Sequence, residues 1–202
     1  MRWFLILLLS LASWADSLVP LPGRGATPAL TEIKRVRVVT TVGDMLIEVY
    51  PQAAPNASKR FLELVGNGFY DFSPVFRVVP QFVAQFGINW RDKYPEYQKN
   101  NFKDDPSLFR LDPGTLAFAK AGPDTNSTQV FINFRNNDRL VAQNFTAFAK
   151  VVEGLDVAMS FAQVGDPSMG LEQDQLWGEG DKYLRKLKAQ PSYILYAYVL
   201  EP

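Results

Sequence analysis

The stretch Val75–Gly87, VFRVVPQFVAQFG, is almost wholly apolar, yet it carries Arg77, Gln81 and Gln85. Side chains alternate across a strand. Over Val75–Val79 that alternation predicts Phe76 and Val78 on one face, filling an interior, and Arg77 and Val79 on the other. Pro80 and Gln81 divide this strand from a second one, Phe82–Phe86. An arginine on such an outer face ordinarily lays its stem over apolar neighbours and keeps its head in water. A later segment gives it a different setting. In Gly114–Asn133, GTLAFAKAGPDTNSTQVFIN, a strand beginning at Gln129 turns Val130 and Ile132 inward and Gln129 and Phe131 outward. The loop AGPDTNST before it has the Gly, Pro, Asp and Asn of a hydrogen-bonded turn. One outer patch then gathers an arginine, glutamines and phenylalanines, the outline of a small-molecule or peptide site.

Outward from these segments the chain reads as short strands with few helices. Val36–Val42 alternates, Gly43-Asp44 is a turn, and Met45–Tyr50 is the second arm of a hairpin. Pro55 suits a first helical turn. Ala57, Phe61, Leu64 and Val65 then share one face, with Lys59, Arg60 and Glu63 outside and Gly66 and Gly68 as the stop. Further strands are predicted at Thr115–Ala119, Gln129–Phe134, Thr146–Val151 and Ser192–Leu200. A second helix is predicted over Gly154–Gln163 and a short third over Lys182–Lys188. Between Ile88 and Pro113 lies a long irregular segment of the length that usually carries function or short turns of its own. About eight strands, mostly joined as hairpins, argue for an antiparallel sheet closed into a barrel with two helices at its ends.

The composition narrows the chemistry. The 202 residues are 47% hydrophobic, which suits one domain with a substantial core. Lys+Arg and Asp+Glu both number 21, and no stretch interleaves basic and aromatic residues, so nucleic acid is a poor partner. Histidine and cysteine are both absent. That excludes Ser-His-Asp hydrolases, Cys-His proteases and HExxH metalloproteases, and leaves hydrogen bonding, electrostatics, shape or carboxylates to do any catalysis. The pair Asp104-Asp105 lacks the spaced oxygen ligands of a calcium loop and reads as a turn. Asn56, Asn126 and Asn144 begin N-x-[ST] patterns that matter only to a glycosylating host.

At the N-terminus, Arg2, the apolar run Trp3–Ala12 and the small residues of Ser13-Trp14-Ala15 predict a signal peptide over 1–15. An uncleaved anchor or a buried helix stands as the alternative. The run is well short of the ~20 residues that span a bilayer, so no stable membrane insertion is expected. Residues 16–31, with prolines at 20, 22 and 28, predict a flexible linker, and 32–202 the folded domain.

FRVVPQFVAQFG and AFAKAGPDTNSTQVFIN resemble the two signature blocks of the cyclophilin peptidyl-prolyl isomerases. FTAFAKVVEGLDV resembles the block that follows, and the similarity runs from Val36 to Val199. FGIN, NNDRL and the tail YLRKLKAQPSYI look like a bacterial-type, exported branch. The resemblance implies a mainly β fold, a closed eight-stranded antiparallel barrel capped by two α-helices, which agrees with the strand count. It places the catalytic arginine at Arg77 and the proline pocket at Phe82, Val83, Phe131 and Leu140. It places hydrogen-bonding glutamines at Gln85 and Gln129, and the wall for residues before the proline at Ala119, Lys120 and Ala121. Phe145 takes a place where many members have histidine or tyrosine. Phe86 replaces a glycine, with the expectation of a stiffer or narrower loop beside the pocket. Arg139 stands where the best-known members have a cyclosporin-contacting tryptophan, so cyclosporin binding is expected to be weak. No cofactor and no metal are implied. The implied partners are proline-containing peptides and unfolded clients of a monomeric protein, exported to a periplasm, an organelle lumen or the cell exterior. A second reading, a proline-peptide-binding or chaperone module with little turnover, rests on Lys120, Phe86 and the Ile88–Pro113 segment.

Overall fold

The computed structural model describes residues 17–91 and 94–201. The signal peptide predicted over 1–15 lies outside the described residues. Eight strands close into one antiparallel barrel: β1 (Lys34–Thr40), β2 (Gly43–Val49), β3 (Ser73–Val79), β4 (Val83–Phe86), β5 (Thr115–Phe118), β6 (Val130–Asn133), β7 (Ala149–Glu153) and β8 (Tyr193–Val199). Around the wall they run β1-β2-β7-β5-β6-β4-β3-β8. Closure removes the open edges that a sheet would otherwise expose.

Period-2 alternation explains the interior. Val36, Val38, Ile47, Val49, Ala84, Leu116, Phe118, Val130 and Ile132 point inward and are buried in one cluster. Helix α1 (Pro55–Gly66) plugs an end of the barrel with Phe61, Leu64 and Val65. The Phe61 ring lies 5.5 Å from Tyr70 and 5.2 Å from Phe148. Ala54, at the start of α1, has no capping side chain. Asp105 from the long loop takes that role across space: its carboxylate accepts from the amides of Asn56 (3.1 Å) and Ala57 (2.9 Å), two donors that a helix N-terminus leaves orphaned.

Several expectations are corrected. The register slips between Val75 and Arg77, so Val75 and Val78 face the barrel interior while Phe76 packs outside it with Ile88, Leu171 and Leu176. A bulge of this kind puts two consecutive side chains on one face. Phe86 does not sit beside the pocket: it is buried in the barrel, edge-on to Tyr70 at 5.3 Å. Arg60 is buried rather than outside, donating to the carbonyls of Asn100 (2.7 Å) and Ser127 (3.2 Å). The predicted second helix shrinks to α3 (Leu155–Met159), and the third to α5 (Asp181–Leu184), preceded by an unforeseen α4 (Gln173–Glu179). The long loop carries one short turn of helix, α2 (Pro95–Gln98). The segment expected to be a flexible linker is pinned near its start. Leu18 is buried, the Leu21 amide donates to Leu108, and the Arg110 amide donates to Val19.

Candidate active site

The outer faces of β4, β5 and β6 carry a second apolar cluster outside the barrel, with Val83, Ala117 and Phe131 buried in it and Phe82, Leu140 and Phe145 half-buried at its surface. This is the other half of the alternation that fills the interior, so one strand pattern builds both core and site. Above the cluster lies an open cleft of about 310 Å³, lined by Arg77, Phe82, Val83, Gln85, Ala119, Lys120, Phe131, Leu140 and Phe145, joined by Gln143, Met169 and Gln173. Its floor is aromatic: Phe131 meets Phe145 edge-on at 5.7 Å. The 3-10 helix Asp138–Gln143 supplies Leu140 to the wall. Ala121 is not in this cleft; it lines an adjoining concavity with Gly122 and Pro123 that shares Lys120 and Phe145.

Arg77 and Gln85 are paired residues of β3 and β4, and their side chains meet: Nη1 of Arg77 donates to Oε1 of Gln85 at 3.1 Å. Gln85 Nε2 donates to Gln129 Oε1 at 2.8 Å, and Gln129 Nε2 donates to Gln173 Oε1 at 2.9 Å. The Arg77 Nε donates to the carbonyl of Ser168 at 2.7 Å. Its Nη2 has no acceptor among the described residues. The guanidinium carbon stands 5.7 Å from the centre of the Phe82 ring. Partial burial lowers the Arg77 pKa from its usual value, but arginine titrates so far above neutrality that the group stays charged.

The Ser168 carbonyl is held by a compact turn. Asp166 Oδ1 accepts from the Ser168 amide (2.8 Å), the Ser168 hydroxyl (2.7 Å) and the Met169 amide (2.9 Å). These hydrogen bonds hold the Asp166 carboxyl below the usual range. Gly170, at φ +75, lets the turn lie against β3: a Cβ there would stand 2.7 Å from both Cα and Cβ of Arg77 and closer still to the Phe76 carbonyl. The Leu171 amide then donates to that carbonyl at 2.8 Å. Sequence reasoning missed Ser168, Met169 and Gln173. The signal available for this segment was the pair Gly165 and Gly170, both at positive φ and both pressed against backbone.

At the other end, Lys120 is an internal ion pair. Its ammonium meets Asp104, donates to the Asn144 carbonyl at 3.2 Å, and lies 5.4 Å from the Phe145 ring centre. Asn126 donates its amide to the other Asp104 oxygen at 2.6 Å, so that asparagine and Asp104 are structural. Among the described residues no group of three or more acidic side chains gathers to hold a metal.

With this geometry in place, the comparisons agree. Residues 35–175 match the family model for cyclophilin type peptidyl-prolyl cis-trans isomerases. A peptidyl-prolyl cis-trans isomerase-like 3 of Gibberella zeae is 37% identical over 131 residues, covering 59% of this chain and 78% of the relative. A peptidyl-prolyl cis-trans isomerase of Acinetobacter baylyi is 33% identical over 148 residues, covering 69% and 77%. The crystal structure of a cyclophilin type isomerase from Cryptosporidium parvum superposes with a TM-score of 0.63 at 21% identity, over 85% of this chain and 99% of that one, which supports the fold. The chain belongs to the cyclophilin-type peptidyl-prolyl cis-trans isomerases, enzymes of the isomerase class that act on proline-containing peptides.

Proposed function

We propose that this cyclophilin turns over X–Pro bonds in exported client proteins, with Arg77 as the catalytic group. Rotation about an X–Pro amide breaks no bond. Its barrier, about 18–20 kcal/mol, is the lost double-bond character of C–N. At the twisted transition state the prolyl nitrogen becomes pyramidal and gains a lone pair that the planar ground state lacks. A donor aimed at that lone pair binds the transition state alone, which raises kcat rather than only lowering KM. The observation that carries this reading is the spare Nη2 of Arg77, on a guanidinium whose Nε and Nη1 are held by Ser168 and Gln85. Phe82, Val83, Phe131 and Leu140 offer the apolar floor for the proline ring. No proton leaves a side chain in this scheme, so the absence of histidine and cysteine costs the enzyme nothing.

Export rests on Arg2, the Trp3–Ala12 run and Ser13-Trp14-Ala15, and a bacterial-type branch on FGIN and NNDRL. The test has two arms. The chain starting at Asp16 is assayed by protease-free NMR exchange on X-Pro peptides, beside Arg77→Ala. The full chain is expressed, fractionated and N-terminally sequenced. Acceleration that collapses in the variant, with a mature N-terminus at Asp16 in an exported fraction, supports the proposal. A folded protein that binds peptide without accelerating exchange would move it to the chaperone reading. An uncleaved, retained chain would remove export.

A further inference from the structure

We infer that Arg139 makes this isomerase selective for prolines flanked by an acidic side chain. The inference rests on the isomerase reading and goes beyond it to the class of substrate. Arg139 lies on the 3-10 helix Asp138–Gln143, directly before Leu140, which lines the cleft. Its guanidinium carbon is 5.1 Å from the centre of the Phe82 ring, the ring that Arg77 also approaches, at 5.7 Å. Two guanidinium groups therefore share one aromatic ring of the cleft wall.

The charge bookkeeping around the cleft is one-sided. None of the side chains lining it is a carboxylate. Lys120 is neutralised by Asp104. Asp138, the neighbour of Arg139 in sequence, is already engaged by Arg110 at 3.1 Å and by the Leu111 amide at 2.8 Å. Arg139 is exposed and has no carboxylate partner among the described residues. Arg77 has only neutral acceptors. The Phe82 side of the cleft thus carries positive charge with no internal counter-ion, while the Lys120 side does not. A peptide carboxylate placed near the bound proline would supply that counter-ion, and stacking on Phe82 holds the Arg139 fork ready at little cost in side-chain entropy. A basic side chain there would be repelled.

The experiment uses short peptides in two series, Ala-Xaa-Pro-Ala and Ala-Ala-Pro-Xaa-Ala, with Xaa as Glu, Gln or Lys. Cis–trans exchange is read by NMR, each peptide against its uncatalysed rate, with the wild type, Arg139→Gln and Arg139→Lys. In at least one series the wild type is expected to favour Glu over Lys by about five- to tenfold in kcat/KM, a ratio that shrinks in high salt. Arg139→Gln should bring that ratio close to one, and Arg139→Lys should retain most of it. A wild-type ratio near one in both series overturns the inference, as does a ratio that survives Arg139→Gln. A protein that accelerates none of the peptides fails the isomerase reading itself, and this inference with it.

Discussion

Arg77 and Lys120 both place a cation in the same aromatic cleft, and they are treated in opposite ways. Lys120 is paired with Asp104, its side chain 3% exposed, and tied to a backbone carbonyl. Arg77 is held as firmly, but only by neutral oxygens from Ser168 and Gln85. A carboxylate partner would have cancelled the field that the proposed mechanism uses. A carbonyl and an amide fix the fork and leave its charge intact. On the proposed reading, that difference is what separates the structural cation, Lys120, from the catalytic one, Arg77.

The first way to break the comparison is to remove the uncompensated charge. Arg77→Ala should lower kcat/KM by about 10²–10³-fold, the usual cost of a lost transition-state donor, with most of the loss in kcat. Arg77→Lys should recover little, because an ammonium cannot reach Ser168, Gln85 and the prolyl nitrogen together. NMR exchange measures both. A lysine variant close to wild type would mean that charge alone suffices and the fork is irrelevant. The next largest effect should come from the turn beneath Arg77. Gly170→Ala adds a Cβ where Arg77 Cα and Cβ already stand 2.7 Å away, at a φ of +75 that alanine disfavours. Arg77 must shift, and a shift of about 1 Å costs up to about 100-fold. The expected loss is about 10- to 100-fold in kcat with smaller change in KM. Unchanged kcat would show that the turn does not position the arginine.

Much of this architecture was legible in the chain. The alternation in Gln129–Phe134 correctly sends Val130 and Ile132 inward and Phe131 outward, because pleat and burial act together there. It fails at Phe76, where a bulge flips one residue and no local residue type announces it. The expectation at Phe86 failed for another reason: it came from the glycine that the residue replaces, whereas the alternation that turns Ala84 inward turns Phe86 inward as well. Arg77, Gln85 and Gln129 were visible because they are polar residues in apolar runs. Ser168 and Gln173 were not, because they reach the cleft across separations of 91 and 44 residues from their partners. The Asp104–Lys120 pair hid for the same reason: neither residue's own segment shows the other.

Asp104 offers the converse test. Asp104→Ala strips Lys120 of its counter-ion and Asn126 of an acceptor. Leaving one half of a buried pair is strongly destabilising. Here the expected cost is about 2 kcal/mol, below the range for fully enclosed pairs, since Asp104 keeps 12% of its side chain exposed. Urea unfolding should show it. Lys120 then becomes a second uncompensated cation, so affinity for acidic peptides should rise while kcat on neutral ones holds. Unchanged stability would demote the pair to a solvated contact.

The smallest effect separates the two acids of the Asp104-Asp105 pair. Asp105 caps α1, yet burial raises its pKa above the usual 3.8, outweighing the two amides that lower it; the Asp104 charge pushes it further upward. A carboxyl with a raised folded-state pKa binds its proton more tightly folded than unfolded. Its contribution is therefore full below about pH 4 and is lost as pH rises through the folded value. Asp71, also raised by burial, acts in the same direction; Asp166, lowered, acts in the opposite one. To isolate Asp105, Tm is followed against pH for the wild type and Asp105→Asn, and the difference is taken. Asparagine cannot ionise and, like the protonated carboxyl, offers one carbonyl acceptor to the helix amides, so it should match the wild type most nearly at low pH and gain on it as pH climbs. For a chain of this size, each kcal/mol moves Tm by about 2–4 °C. A difference that stays flat from about pH 4 to pH 7 would mean that the carboxylate is better solvated at the helix end than its burial implies, and that α1 gains from its charge as well as from its oxygen atoms.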